Sequence, residues 1–354
     1  MSSLEQTLVS RLDRAEARRR PWTYLASGYL QQGLEATARL CRSAVASHHR
    51  YSRDEVGGIR LYWCEGFRRP SLTSPQRVRK RRGPFAPNFG DALSPLVVSL
   101  LTGRRVVYAN DPVKLVALGS IFFALQDGDV VWGAGLARRE HVSYAASARE
   151  VMYRALRGPA TARLLRSRGV ACAVPFGDPA ILLPLLIDND IAPQHEIGVV
   201  PHWSQFPDFE REIRDPHVKL IDVCDSFDDV ARAILSCRLV LSTSLHGVIL
   251  AESYGIPALL VFYGGQPRGD DTKYIDYFES TERDLHARSI TRIPDITRLA
   301  SETSRVPTPR FSREPLLAAF PYPIRSLSQK PAVRWSHVRR QMLGCFQAGE
   351  TDGH

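Results

Sequence analysis

The 354-residue chain predicts an α/β protein made of two parallel-sheet units. Short runs rich in Val, Ile, Leu and aromatic residues recur along it, separated by glycine turns and stretches with helical spacing, which is the alternation that βαβ units produce. This texture pauses at GDPAILLP, residues 177–184, and then begins again. The length also exceeds what one hydrophobic core commonly serves, so two domains facing each other across a cleft are expected.

Taken in order, Leu4, Leu8, Leu12 and Ala15 lie at helical spacing with Pro21 as a stop, so residues 1–55 are expected to form a helical N-terminal extension. The first α/β unit is expected over 56–176. It opens with IRLYWC as a buried strand, followed by a Pro- and Arg-rich loop. NFGDALSPLVVSLLTG then reads as a turn opening a helix that ends at Gly103. RRVVYA is the next strand, and KLVALGS, GDVVWGAG and EVMYRAL supply further apolar segments. The second unit, 177–300, repeats the pattern with EIGVVPHW, VKLIDVC, SFDDVARAILSC, RLVLSTS, GVILAESYG and IPALLVF. Beyond about 300 the strand signals fade, and residues 301–354 are expected as a tail packing back on the first unit.

With 44% hydrophobic and 24% charged residues the composition is that of a globular protein, and no apolar run approaches the roughly 20 residues of a membrane helix. The opening MSSLEQTLVSRLDRAEARRRPW has no apolar core, and Glu5, Asp13 and Glu16 interrupt its basic residues. It reads as neither a secretory nor a transit signal, so a cytoplasmic location is expected. The 6 cysteines form no CxxC pair and no zinc spacing and read as reduced thiols. A net charge of +10 suits nucleic acid, an anionic membrane surface or a small anionic substrate. The basic run QRVRKRR, residues 76–82, lacks the interleaved aromatics of nucleic-acid platforms, so no nucleic-acid partner is expected. Contact with anionic lipid headgroups, worth about 1 kcal/mol per basic residue, stands as a peripheral membrane role for it.

In parallel α/β sheets ligands bind beyond the carboxyl ends of strands, where helix starts offer free N–H groups. Asn88-Phe89-Gly90-Asp91 is one such start: Gly90 permits close ligand approach, and Asp91 either caps the helix or binds a hydroxyl. Arg157-Gly158-Pro159 is a second, its arginine either forking onto carboxylate or phosphate oxygens or forming a surface salt bridge. In Pro201-His202-Trp203 the rings either flank a ligand or plug the top of the sheet. The fourth is Ser242 to Gly247, where His246 stands among small capping residues at a helix start whose field holds its pKa down and keeps anions close. WGAGLAR lacks the third glycine of a dinucleotide fingerprint. Asp127-Gly128-Asp129 and Asp188-Asn189-Asp190 have the acid-x-acid form of metal-dependent sugar transferases, a form common in loops.

NFGDALSP, LGSI, VVWGAGL, LRGPATARLL, GDPAILLP, IGVVPHW, SLHGVILAESYGIPAL and the later Lys273 with Asp276-Tyr277 occur in an order that resembles the polysaccharide pyruvyltransferase family, most closely the bacterial exopolysaccharide ketal-pyruvyltransferases. The resemblance covers about 58 to 280. It implies a GT-B-like fold, two Rossmann-like domains facing a cleft, and transfer of pyruvate from phosphoenolpyruvate onto two hydroxyls of one sugar to give a cyclic ketal. It implies a donor site holding an Arg-Leu-His triplet in the second domain and an arginine before a glycine in the first. Leu245, His246 and Arg157 match these positions; Ser244 stands where the triplet has arginine, with Lys273 or Arg268 as the replacement cation.

Such a donor carries phosphate and carboxylate, which call for basic forks and a helix N-terminus. Its methylene carbon must be protonated and the acceptor hydroxyls deprotonated. His246 is the candidate for phosphate contact and proton transfer, and His202 or Asp91 for the acceptor base. Asn88, Gly90, Ser244, Leu245 and Gly247 complete the expected binding set, with no metal or cofactor. The implied acceptor is a polysaccharide or lipid-linked oligosaccharide at the inner membrane face. Two other readings are a GT-B glycosyltransferase using a nucleotide sugar, with Glu279 and Glu282 as ribose-holding candidates, and a noncatalytic protein that binds anionic ligands.

Overall fold

The computed structural model describes residues 58–64, 88–264, 270–325, 327 and 333–338. The predicted N-terminal extension, the basic run 76–82 and Arg268 lie outside these residues.

Runs of β-branched and aromatic residues become the strands, as their packing on a pleated surface favours. In the first sheet these are β1 (Ile59–Tyr62), β2 (Val106–Tyr108), β3 (Leu115–Val116), β4 (Val130–Trp132) and β5 (Met152–Ala155), all parallel, in the order β2-β1-β3-β4-β5. A two-residue strand β6 (Ile187–Asp188) pairs far along the chain with β12 (Val333–Arg334). The second sheet holds β7 (His195–Val200), β8 (Val218–Leu220), β9 (Cys237–Ser242), β10 (Ala258–Tyr263) and β11 (Ala287–Ile290), again parallel, in the order β11-β10-β9-β7-β8. Counted from its own first strand, each sheet therefore has the order 2-1-3-4-5. The same doubly wound arrangement is used twice, giving two Rossmann-like halves.

The helices are α1 (Phe89–Thr102), α2 (Val142–Ser147), α3 (Pro159–Arg166), α4 (Leu183–Leu186), α5 (Phe206–Glu212), α6 (Phe227–Leu235), α7 (Leu245–Ser253), α8 (Thr272–Ser280) and α9 (Arg313–Ala318). Buried parallel strands are apolar on both faces: Val130, Val131 and Trp132 of β4 are buried, as are Ala258 to Val261 of β10. Gly103 ends α1 with φ 67° and returns its N–H to the Ser99 carbonyl, a left-handed cap that glycine adopts without strain. In the tail, the Trp132 indole donates to the Leu316 carbonyl at 2.8 Å and its ring meets Phe320 at 4.5 Å. The Arg325 N–H reaches the Leu101 carbonyl.

The described residues fall in one compact unit, Gly57–His354. Among them no helix is long and apolar enough to cross a membrane. Among the described residues, Cys64, Cys172, Cys224 and Cys237 form no disulfide.

In a 2-1-3-4-5 sheet the connection reverses direction between its first and third strands, and a crevice opens beyond their carboxyl ends. Here those places are β1/β3 and β7/β9. The segments leaving them are the start of α1, Gly119-Ser120, Pro201-His202 and the turn into α7.

Candidate functional site

The α7 start is built by hydroxyls that lock the turn. Ser242 Oγ accepts the Ser244 N–H at 3.0 Å and lies 2.9 Å from the Val200 carbonyl, to which it donates. Thr243 Oγ1 donates to Gln205 Oε1 at 2.6 Å and accepts the His202 N–H at 2.7 Å, tying the ends of β7 and β9 together. Ser244 occupies the cap position, but its hydroxyl caps nothing, which leaves the first-turn N–H groups of Leu245, His246 and Gly247 without a side-chain cap. Gly247 lets this turn close, because a Cβ there would lie 2.5 Å from Ser242 Oγ and 2.9 Å from a Val200 methyl.

His246 follows on the same turn, its side chain 15% exposed. Its ring stands directly against Gly90 of α1: a Cβ on Gly90 would fall 2.1 Å from Nδ1 and 2.5 Å from Cγ. Burial, then the charges of Arg157 and Lys273, push its pKa down to about 3, so the imidazole is neutral at neutral pH.

The α1 start is capped by Asn88, whose side chain accepts the Gly90 N–H at 3.2 Å. The capping alternative for Asp91 is therefore corrected: Asn88 lies one residue before the first turn, where a side-chain oxygen reaches that N–H, and Asp91 is inside the turn. Burial raises the Asp91 carboxyl to about 7, with the Lys273 charge pulling it back. Lys273, on α8, acts electrostatically on both Asp91 and His246.

Arg157 is 1% exposed, so the surface salt-bridge alternative does not hold. Its Nε donates to Asp276 Oδ2 at 3.0 Å, NH1 to Ser120 Oγ at 2.6 Å and NH2 to the Leu136 carbonyl at 2.6 Å. Asp276 also accepts from the Thr161 N–H and hydroxyl, each at 2.7 Å. Gly135 and Gly158 permit this contact between the halves: a Cβ on Gly135 would lie 2.7 Å from the Asp276 carboxylate, and one on Gly158 would lie 1.8 Å from its carbonyl oxygen. Gly135 of WGAGLAR and Gly158 of LRGP thus serve an ion pair at full burial.

His202 sits beyond β7 with Nδ1 2.8 Å from Ser204 Oγ and its ring beside Trp203. Leu245 is buried. The acid-x-acid triplets make local pairs: Asp129 is buried against Lys114 at 2.7 Å, Asp127 binds Arg149, and Asp190 bonds Ser336.

The structure brings together Asn88, Gly90, Asp91, Arg157, Ser244, His246, Gly247 and Lys273, and it adds Asp178. Asp178 is 1% exposed, one carboxylate oxygen accepts the Ala180 N–H at 3.0 Å, and the other lies 3.9 Å from His246 Nε2. Burial lifts its pKa to about 6, opposed by the Ala180 hydrogen bond and the Arg157 charge. In sequence it is visible only as the Asp of a Gly-Asp-Pro turn, which by itself signals a cap.

Such a site offers an uncapped helix start and fixed cations to an anion, and a neutral imidazole and a carboxyl poised near neutrality to a proton.

The sequence model of the polysaccharide pyruvyl transferase family matches residues 88–264, half of the chain, from the Asn88 cap to the end of β10. A protein of Acanthamoeba polyphaga mimivirus described as uncharacterized protein L143 is 30% identical over 222 residues, 58% of this chain and 76% of that protein. The matched stretch contains the α1 and α7 starts, Arg157 and Asp178 and ends before Lys273 and Asp276, and the chain belongs to the polysaccharide pyruvyl transferase family.

Proposed function

We propose that the protein transfers pyruvate from phosphoenolpyruvate onto two hydroxyls of one sugar residue in a polysaccharide or lipid-linked oligosaccharide, forming a cyclic ketal and releasing phosphate. The observation that carries this reading is the packing of His246, at the α7 start, against the α1 start that bears Asp91, with the Lys273 charge acting on both.

The donor brings a phosphate and a carboxylate. The uncapped N–H groups at the α7 start and the Lys273 ammonium are its natural partners. Arg157, held by Asp276, contributes a fixed positive charge beside the imidazole rather than a free fork. Ser244, in place of an arginine, keeps the cap position small.

Chemistry begins with a proton delivered to the methylene carbon. The carbon–carbon π pair takes it, the methylene becomes a methyl group and C2 becomes oxocarbenium-like. One sugar hydroxyl bonds to C2 and gives up its proton. Phosphate then leaves with the C2–O electron pair, and the second hydroxyl bonds to C2 and loses its proton to close the ketal. Asp91, with a pKa of about 7, is populated in both protonation states near neutrality and is the assigned acid and base. His246 contacts the phosphate, where added negative charge raises its proton affinity so that it protonates the leaving group. His202, beyond β7, is proposed as a second base for the acceptor.

Phosphorus and proton NMR of the purified protein with phosphoenolpyruvate and a panel of glycans tests the proposal. Inorganic phosphate and a new ketal methyl singlet should grow together and only with both substrates present. Consumption of a nucleotide sugar with phosphoenolpyruvate untouched would place the protein with nucleotide-sugar transferases.

A further inference from the structure

Asp178 keeps one carboxylate oxygen idle in the protein interior. Its Oδ1 accepts the Ala180 N–H and so caps the short turn Pro179–Leu182. Its Oδ2 is buried with no hydrogen-bond partner. An unmet acceptor at that depth is disfavoured by about 1–3 kcal/mol, more when charged, so its retention calls for a user. The nearest cation-forming atom is His246 Nε2, 3.9 Å away and about 1 Å beyond hydrogen-bond range.

The titratable and charged groups that act on the pair are Arg157 before α3 and Lys273, Asp276 and Tyr277 on α8. Arg157 favours the ionised Asp178 carboxylate, and Asp276 opposes it. Arg157 and Lys273 both resist a charged imidazole. On the opposite edge of the ring, Nδ1 faces Gly90.

We propose that Asp178 is the positioning residue for His246: its Oδ2 accepts the Nε2–H, fixes the tautomer with the lone pair on Nδ1, and becomes the counter-ion when the ring gains a proton beside a bound anion. Closure by about 1 Å converts the 3.9 Å gap into a charge-assisted hydrogen bond. Which ring nitrogen carries the proton is set by the bond that the other edge makes. The catalytic use of the pair rests on the pyruvyl-transfer reading; the tautomer does not.

Asp178→Asn gives a sharp test. Only the amide oxygen can accept the Ala180 N–H, so the NH2 group must take the Oδ2 position and donate to Nε2. The turn stays capped while the His246 proton is driven to Nδ1. The readout is histidine-selective ¹⁵N NMR at pH 7.5, with the His246 signals assigned from a His246→Gln spectrum. The wild type should show Nε2–H and the variant Nδ1–H. In the wild type, titration with inorganic phosphate should move His246 toward the doubly protonated form, and the variant should resist that shift. With phosphoenolpyruvate and acceptor, kcat of the variant should fall on the order of 10²- to 10⁴-fold with a much smaller change in KM. Should the variant fold poorly, the wild-type tautomer and its phosphate titration still decide. An Nδ1–H wild type, or a variant with unchanged tautomer and kcat, would overturn the proposal. A tautomer flip in a protein inert toward phosphoenolpyruvate would keep the Asp178 assignment and reject the donor.

Discussion

Replacing Gly90 by alanine should displace the His246 imidazole without unfolding the protein. The added Cβ would lie 2.1 Å from Nδ1, 2.5 Å from Cγ and 2.9 Å from Cβ of His246. Comfortable contact is about 3.5 Å, so the ring must retreat by roughly 1.4 Å. Rotation about χ2 cannot relieve contacts at Cγ and Cβ, so α1 and α7 must part locally. Overpacking of this kind costs about 1–3 kcal/mol, offset by up to about 1 kcal/mol because alanine is the better helix former. A melting temperature lowered by a few degrees is expected. A 1 Å misplacement of a catalytic group costs about 10²-fold in rate, so activity should suffer far more than stability. The assay is a double-mutant cycle of Gly90→Ala with His246→Ala, read by thermal melting and by phosphate release. Truncating the ring removes the two closest atoms, so the double variant should recover most of the lost melting temperature and none of the activity. A Gly90→Ala protein with wild-type melting and turnover would refute the packing of α1 on α7 at this point.

The Asp91 carboxyl has a pKa of about 7 folded against an ordinary 3.8. Between about pH 4 and 7 the folded state therefore holds more protons than the unfolded one, and this group makes stability fall as pH rises. Asp91→Asn should show a melting temperature equal to wild type near pH 3, a gain that grows through pH 7, and a plateau above; a constant difference across that range would contradict the shift. The same variant should lose the limb near neutrality from the pH–rate profile. Asp276→Ala strands the buried Arg157 and two Thr161 donors, and urea denaturation should show a loss of about 3–5 kcal/mol. An unchanged midpoint would mean that Arg157 finds other partners.

Much of the architecture is legible in the amino-acid sequence. The β-branched runs became β1 to β5 and β7 to β10, and Gly103 ended α1 as a left-handed cap. The site was legible where chemistry is local: a histidine among capping residues at Ser242 to Gly247 has no packing rationale. It was illegible where function depends on a distant partner. Arg157 meets Asp276 at 119 residues' separation, so a lone arginine at a helix start could not be told from a free fork. The same holds for Gly135, whose lack of a side chain is explained only by the pair packed against it. Asp178 in a Gly-Asp-Pro turn has an ordinary role for one oxygen, and only the fold reveals where the other lies. The repeated 2-1-3-4-5 order, which places four loops at one crevice region, is a property of strand pairing that no local pattern encodes.

The central claim is that phosphoenolpyruvate binds at the His246 helix start. Ligand-induced thermal stabilisation tests it most directly, comparing phosphoenolpyruvate, inorganic phosphate and UDP-sugars on the wild type and on His246→Ala. Saturation at a hundred times the dissociation constant adds about 2.7 kcal/mol, a readily measured rise in melting temperature. The account predicts a rise with phosphoenolpyruvate that exceeds that with phosphate and vanishes in His246→Ala. A rise with UDP-sugars alone, or a phosphoenolpyruvate response that the substitution leaves intact, would contradict it.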